Sequence, residues 1–231
     1  MNRASNPERV HMISRLIIAA IIVYVILDIV AQALPPHYSP IRQAESDLAV
    51  GPYGFIMRVN FLLRGLLSLA LVQALRNALH PIRARWGLSL FGIWGAASFL
   101  LAFFNTDILD DPHLVPHPHL TWPGELHLGL ALIGFIVAPI GAILLARAFQ
   151  HSDLWRPAAR LSMLLALIDL AALLALKPFA SHHEGGLGER IFLAVTLLWT
   201  GHTAMWLGRV DPRRQSMCWS VTGRRSEESR E

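Results

Sequence analysis

The sequence has few charged residues and almost no cysteine. Only 16% of its 231 residues are Asp, Glu, Lys or Arg, whereas 54% are hydrophobic. A soluble globular domain usually carries about 25% charged residues, so this composition indicates a membrane protein. The single cysteine, Cys218, leaves no partner for an intrachain disulfide, and no covalent cross-link is therefore expected to stabilise the fold.

Motifs of several enzyme and nucleic-acid-binding classes are also absent from the sequence. There is no GxSxG, no glycine-rich phosphate-binding loop and no recognisable nucleic-acid-binding module. The net charge of +4 does not indicate nucleic-acid binding, because the basic residues lie between apolar segments and in the C-terminal tail. We therefore expect the lipid bilayer, and no nucleic acid, as the main partner.

Six apolar segments are long enough to cross a bilayer, which takes about 20 helical residues. Approximately, they span residues 12–34, 53–79, 86–104, 125–149, 158–178 and 187–208. Each is expected to be helical, because backbone groups in lipid must be hydrogen-bonded within their own segment. The predicted fold is all-α, a polytopic bundle of six transmembrane helices. A short N-terminal tail precedes it (residues 1–11), and a disordered tail follows it (residues 209–231).

The basic residues are distributed unevenly between the two ends of this bundle. Fifteen of the twenty Lys and Arg residues fall on the side of the two tails: Arg3, Arg9, Arg15, Arg76, Arg83, Arg85, Arg147, Arg156, Arg160, Arg209, Arg213, Arg214, Arg224, Arg225 and Arg230. The opposite side has Arg42, Lys177 and Arg190. Because positive charge favours the cytoplasmic side, both termini are predicted to be cytoplasmic in a multi-pass protein of the plasma (inner) membrane.

The first segment has an alternative interpretation as a signal peptide. Its basic start, its apolar run and the sequence Ala-Gln-Ala at 31–33 resemble a cleavable leader. Against cleavage, Asp28 interrupts the apolar run, the segment is long, and removal would put the two tails on opposite sides. We favour a first membrane helix.

Unusual polar residues collect on the side predicted to lie outside. The loop 35–52 holds Ser39, Glu45, Ser46 and Asp47, and the loop 105–124 has Asp107 near its start. Further polar residues on this side are His113, His117, His119, His127, His182, His183, Glu184, Glu189 and Arg190. Because the basic residues of the cytoplasmic side are explained by orientation alone, this outer group is the better candidate for a functional site.

Two polar residues of the second segment share one helix face. Asn60 and Arg64 are spaced i, i+4. A charged side chain in lipid is costly, so Arg64 is expected to face the bundle and pair with Asp28, Asp169 or a carboxylate of the outer loop. These residues predict an outward-opening polar cleft, with Asn60, Arg64 and Asp169 as its floor and Asp47, Asp107 and His127 as its roof.

Structural roles and metal binding are both open for these residues. A buried ion pair can simply fix helix register, and Ser46 or Asp47 could cap the second helix. Alternatively, Asp47, Asp107 and His127 come from three helix ends and could hold a divalent metal with a bound water. The histidines of the loops 113–119 and 182–183 match no known zinc spacing.

Short motifs resemble a known family of membrane proteins. They are Tyr38-Ser39, Ser46-Asp47-Leu48-Ala49-Val50, Tyr53-Gly54, Asn60 to Gly65, Phe104-Asn105-Thr106-Asp107, Gly124-Glu125-Leu126-His127 and Gly188-Glu189-Arg190-Ile191. Together they resemble the bacterial and archaeal six-helix membrane family "domain of unknown function 998", over approximately residues 12–208. The resemblance implies the same fold and the same polar cluster at the outer face, but no particular reaction.

Two functions are compatible with these features. The favoured one is binding of a lipid or small solute by Ser39, Ser46, Asn60, Arg64, Asp169, Glu189 and Arg190. The alternative is a membrane-embedded, possibly metal-dependent hydrolase or transferase that acts on a lipid-like substrate, with Asp47, Asp107 and His127 as catalytic residues. The sequence specifies neither the ligand nor the oligomeric state.

Overall fold

The computed structural model describes residues 7–35, 37–79, 81–108 and 120–210. Over these ranges the chain forms six long helices: α1 (Pro7–Ala33), α2 (Gly54–Ala78), α3 (Pro81–Leu100), α4 (Trp122–Gln150), α5 (Arg156–Ser181) and α6 (Gly185–Leu207). Two short 3₁₀ helices accompany them, η1 (Glu45–Ala49) before α2 and η2 (Leu101–Phe103) after α3. No β-strand occurs in the described ranges, and the predicted all-α fold is confirmed.

Five of these helices are long and apolar enough to cross a membrane, and the chain is a membrane protein. The five spans are Glu8–Ala33, Gly54–Ala78, Ile82–Phe103, Trp122–Gln150 and Arg156–Ser181. Helix α6, which was also predicted to span, is not among them. It carries Glu189 and Arg190 near its start and the buried threonines 196, 200 and 203 further along. The three threonines are buried within the bundle, whereas Glu189 and Arg190 contact the loop that precedes α2.

The helices form a closed ring in chain order. Each helix packs against the next one, and α1 also packs against α6. The apolar centre contains Phe91, Trp94, Phe192 and Trp199, all with at most 2% of their surface exposed. Leucine, isoleucine and valine side chains of α1, α4 and α5 stay exposed on the outside of the ring, as expected for surfaces that face lipid.

Small residues let α3 and α4 approach closely. A Cβ atom at Gly141 of α4 would lie 2.9 Å from the backbone nitrogen of Phe91 and 3.3 Å from the carbonyl oxygen of Gly87. Both neighbours are backbone atoms of α3, which cannot move aside as a flexible side chain can. Close backbone packing through small residues is the usual way in which membrane helices gain contact.

The Gly141→Ala variant is therefore expected to be less stable than the wild type, by about 1–3 kcal/mol for overpacking. Gly129→Ala is a matched control in the same helix, because a Cβ there meets nothing within 4 Å. Replacing glycine by alanine adds about 1 kcal/mol of helix propensity in both variants. The difference between their stabilities therefore isolates the clash at position 141. Thermal unfolding in detergent should give a lower Tm for Gly141→Ala, and equal Tm values would contradict close packing at this position.

The connections α1–α2, α3–α4 and α5–α6 lie together at one end of the bundle, which we call the loop end. It contains the residues 37–53, 104–108, 120–121 and 182–184. The connections α2–α3 and α4–α5 lie at the opposite end. Almost all of the candidate residues predicted from the sequence are at or near the loop end.

Candidate functional site

The centre of the loop end is the buried guanidinium group of Arg64. Arg64 and Asn60 are 2% and 0% exposed, respectively, so the shared face of α2 points into the bundle as expected. Arg64 Nη1 donates hydrogen bonds to the hydroxyl of Tyr24, at 3.2 Å, and to Oε2 of Glu45, at 3.5 Å. Asn60 Nδ2 donates to the backbone carbonyl of Tyr24, at 3.1 Å. These contacts tie α2 to α1 and to η1.

The acidic partner of Arg64 comes from the loop that precedes α2. Glu45 lies on η1, yet it is only 3% exposed, because the loop folds inward over the bundle. Its carboxylate accepts a second hydrogen bond from the Tyr24 hydroxyl, at 2.6 Å. Of the partners that the sequence offered to Arg64, the structure therefore selects a loop carboxylate. The loop therefore covers Arg64 in this structure.

Three aromatic rings surround the same guanidinium group. Its Cζ atom lies 5.0 Å from the ring centre of Trp94, 5.3 Å from that of Phe61 and 6.0 Å from that of Tyr24. Such ring faces attract cations, and more strongly where water is excluded. Arg64 Nε is buried without a hydrogen-bond partner among the described residues. The aromatic cage thus holds a cation whose hydrogen-bonding capacity is only partly used.

A second arginine holds the loop in place. Arg190 of α6 donates from Nη1 to the carbonyl oxygens of Pro40, at 3.0 Å, and Gln43, at 3.2 Å. Its Nη2 donates to the Tyr38 hydroxyl, at 2.6 Å, and its Cζ lies 5.2 Å from the centre of that ring. The backbone N–H of Leu187 adds a bond to the Ile41 carbonyl, at 3.0 Å. The start of α6 is therefore the anchor of the loop.

Tyr38 completes this anchor from the loop side. Its hydroxyl accepts from Arg190 and lies 2.8 Å and 2.6 Å from the carbonyl oxygens of Gln43 and Ala44, to which it can donate. Burial raises the pKa of the Tyr38 phenol well above its ordinary value, against the opposing effect of Arg190. The hydroxyl consequently keeps its proton and remains a donor to the loop carbonyls.

Two more carboxyl groups adjoin Glu45. Glu189 Oε2 accepts the backbone N–H of Glu45, at 3.0 Å. Asp28, whose Oδ2 accepts from Gln32 at 2.5 Å, also interacts electrostatically with Glu45 and with Arg190. We call these residues together the Arg64 cluster: Tyr24, Asp28, Glu45, Asn60, Arg64, Glu189 and Arg190. It joins α1, η1, α2 and α6, and it contains three carboxyl groups and two guanidinium groups.

Asp169 lies apart from this pairing. It is 1% exposed, and its two carboxylate oxygens lie 3.0 Å and 3.2 Å from the hydroxyl of Thr196, which donates to them. Thr196 belongs to α6, so this contact links α5 with α6. Within the described part of the chain, the ion pair of Arg64 is with Glu45 and not with Asp169.

Asp107 and His127 connect η2 with the start of α4. Asp107 accepts from the backbone N–H of Thr121, at 2.6 Å, and from its hydroxyl, at 2.9 Å. Thr121 is the N-cap of α4 and accepts from the Gly124 N–H, at 3.3 Å. The ring of His127 is buried and its Nδ1 lies 2.8 Å from the Phe104 carbonyl oxygen. Both candidates thus have structural hydrogen bonds that fasten this connection.

The N-cap interaction has a measurable contribution to stability. Thr121→Val keeps the shape of the side chain but removes the hydroxyl that serves both Asp107 and Gly124. Loss of an N-cap costs about 1 kcal/mol. We expect a correspondingly lower Tm in detergent, whereas replacing the neighbouring exposed Leu120 by alanine should leave the Tm nearly unchanged. Equal Tm values for both variants would contradict the capping role.

The residues Ser39, Ser46 and Asp47 lie on the loop itself. The backbone N–H of Ser39 donates to the side chain of Gln43, at 2.7 Å, while Ser46 and Asp47 are part of η1. The suggestion that Ser46 or Asp47 caps the second helix is wrong. The N-cap of α2 is Tyr53, and η1, with Ala44 as its own N-cap, ends before α2 begins.

The structure does not gather the proposed metal ligands into one centre. Among the described residues, no group of three or more His, Cys, Asp or Glu is placed to hold a metal ion, and this includes Asp47, Asp107 and His127. His113, His117 and His119 lie outside the described residues. His182, His183 and Glu184 are exposed at the turn between α5 and α6. These positions give no geometric support for a metal-dependent hydrolase.

Sequence reasoning missed two members of the site and noted a third, Glu45, only as one of the polar residues of the outer loop. Tyr24, Tyr38 and Glu45 contact the two arginines directly, yet none was a candidate binding residue. Tyr24 had a usable signal, because it lies i, i+4 from Asp28 within an apolar helix and is one of only three tyrosines. Glu45 had no signal in the sequence that distinguishes it from the other acidic residues of the loop.

Comparison with known proteins places the chain in a family. No curated protein and no solved structure matches the chain. A family model does match it, over residues 17–206, which include α2 to α5, most of α1 and α6, and the whole Arg64 cluster. The chain belongs to the family described as "Protein of unknown function (DUF998)".

Proposed function

We propose that the protein binds a lipid or a small solute at the loop end of the bundle, in a polar cleft that faces outward. The Arg64 cluster supports this proposal. A fold that only needs to span a membrane has no use for three carboxyl and two guanidinium groups gathered at one end, and the two that are fully buried, Glu45 and Arg64, are costly to bury. Intramembrane ionisable residues usually mark sites for ligands or ions.

The orientation is part of the proposal. We propose that the chain lies in the plasma (inner) membrane with both termini in the cytoplasm, so that the loop end faces outward. The excess of arginine near the two tails and at the opposite end of the bundle supports this orientation. A ligand would then reach the cluster from the outer leaflet or from the external solution.

The loop 37–50 gives the cleft a cover. It contributes Glu45 to the buried pair with Arg64 of α2. Its contacts with α6 are hydrogen bonds, donated by Arg190 and by the Leu187 N–H and accepted by Glu189. Ala49 at its end is buried against Met57 and Phe61, but the part before Ala49 is held mainly by hydrogen bonds and can open at lower cost than a packed helix. Opening would connect Arg64 and the aromatic cage with the outside.

Native mass spectrometry of the detergent-purified protein tests this function. We expect a stoichiometric bound lipid or solute on the wild-type protein. The adduct should be lost from Arg64→Met, which keeps an unbranched apolar side chain at the same place. Arg58→Met is the matched control, because Arg58 is an exposed arginine of the same helix. If Arg64→Met retains the same adduct as the wild type, this function is wrong.

A further inference from the structure

We propose that the aromatic cage around Arg64 is a binding site for an oxyanion, a carboxylate or a phosphate group, and that Glu45 is its internal occupant. This inference rests on the proposed function and specifies the chemistry of its ligand. Glu45 would act as a competitor from within the chain: a ligand oxyanion replaces its carboxylate when the loop opens.

The aromatic cage leaves part of the hydrogen-bonding capacity of Arg64 unused. Guanidinium has five N–H donors in a planar fork that fits a carboxylate or phosphate with two parallel hydrogen bonds. Glu45 contacts Arg64 only through Nη1, at 3.5 Å, and the buried Nε has no hydrogen-bond partner among the residues of the described ranges. A free oxyanion could approach the fork in the bidentate geometry that Glu45 does not reach.

The competing carboxylate of Glu45 comes from a connecting loop and not from one of the long helices. Glu45 is on a 3₁₀ helix of five residues within a connecting loop, whereas Arg64 and its three aromatic neighbours are on the long helices α1, α2 and α3. The cation and the rings are thus fixed in the bundle, and the anion is on the element that can move. A purely structural ion pair would not need its cation on a fixed helix and its anion on a loop.

The charge of the Arg64 cluster favours replacement of the Glu45 carboxylate over simple addition of an anion. The cluster already has three carboxyl groups for two guanidinium groups, so an added anion would increase the negative charge next to Asp28 and Glu189. Replacing the Glu45 carboxylate leaves the charge next to Arg64 unchanged. Binding and displacement are therefore coupled, and the affinity for an oxyanion should rise when the side chain at position 45 is neutral.

The oxyanion has two possible sources, which the experiment separates. Dihexanoyl phosphatidic acid represents a lipid headgroup with an apolar tail, and inorganic phosphate represents a free anion. Dihexanoylglycerol has the same tails without an oxyanion and is the uncharged control. Isothermal titration of each probe is made against the wild-type protein, Glu45→Gln, Arg64→Met and Glu184→Gln. Glu184 is an exposed carboxylate at the same end of the bundle and serves as the matched control.

We expect Glu45→Gln to bind phosphatidic acid about tenfold more tightly than the wild type and Glu184→Gln do, a change of about 1.4 kcal/mol. Arg64→Met should not bind it. If inorganic phosphate shows the same tenfold gain, the free anion is a sufficient ligand; if only phosphatidic acid does, the tail is required. Unchanged or weaker binding of both anions by Glu45→Gln would overturn the inference.

Folding is controlled with a second variant. Glu45→Asp keeps the charge, which still opposes an added anion, but its shorter side chain reaches Arg64 less well. Its affinity should therefore lie between those of the wild type and Glu45→Gln, provided that its gel-filtration profile matches the wild type. Equal binding of dihexanoylglycerol and phosphatidic acid, lost in Arg64→Met, would overturn the oxyanion inference and leave the proposed function standing. Binding that survives in Arg64→Met would contradict the proposed function itself.

Discussion

Replacing Glu45 by leucine is expected to destabilise the folded protein by about 3–5 kcal/mol, because it leaves the buried charge of Arg64 without its counter-ion. Arg64→Met should cost less. In Arg64→Met the Glu45 carboxyl group keeps its hydrogen bond from the Tyr24 hydroxyl, at 2.6 Å, whereas in Glu45→Leu the charge of Arg64 stays buried without a counter-ion. Reversible unfolding in mixed detergent micelles measures both free energies.

The double variant, Glu45→Leu with Arg64→Met, tests whether the two side chains are energetically coupled or contribute to stability independently. It contains no unpaired charge, so its loss of stability should be well below the sum of the two single losses. Buried pairs that are replaced together by apolar side chains are often tolerated for this reason. Losses that add within about 0.5 kcal/mol would show that the two side chains are not energetically coupled.

Arg190→Met is expected to release the loop without unfolding the bundle. Two of its hydrogen bonds end on loop carbonyl oxygens and a third ends on Tyr38. A hydrogen bond to a charged group contributes about 1.5–3 kcal/mol, so loss of the first two alone makes opening easier by about 3 kcal/mol. Amide hydrogen exchange in residues 38–50 should accelerate by roughly 100-fold.

Arg42→Met is the matched control for this experiment, since Arg42 is an exposed arginine of the same loop. It should leave the exchange rates of residues 38–50 within a few-fold of the wild type. Amides of α3 and α4 provide an internal reference, because neither helix contacts Arg190 through any of the hydrogen bonds described above. Equal protection of the loop in both variants would contradict the anchoring role of Arg190.

The sequence predicted the helices well because a bilayer imposes both their length and their apolarity. The six predicted segments agree with the six helices to within a few residues at their ends. The inward-facing pair Asn60 and Arg64 was also predictable, since spacing of i, i+4 places both on one face of α2 and lipid excludes a charge from the other. These inferences depend only on local geometry and the solvent.

The site could not be derived in the same way because the loop conformation depends on distant residues. Arg190 is 150 positions from Pro40, and Glu189 is 144 positions from Glu45, whose N–H it accepts. Nothing in the composition of the loop indicates that η1 forms there or that it carries Glu45 inward. The cap proposed at Ser46 or Asp47 failed for the same reason, because a local rule was applied to a segment shaped by tertiary contacts.

The pairing of Arg64 with Glu45 has a consequence for how the chain enters the membrane. The two residues are only 19 positions apart, and the Tyr24 that contacts both is on the preceding helix. The α1–α2 hairpin therefore carries the hydrogen-bond partners of its own arginine, and the Trp94 ring of the cage follows on α3. The translocon can deliver α1 and α2 to lipid with that charge already neutralised, well before α6 is synthesised and closes the ring.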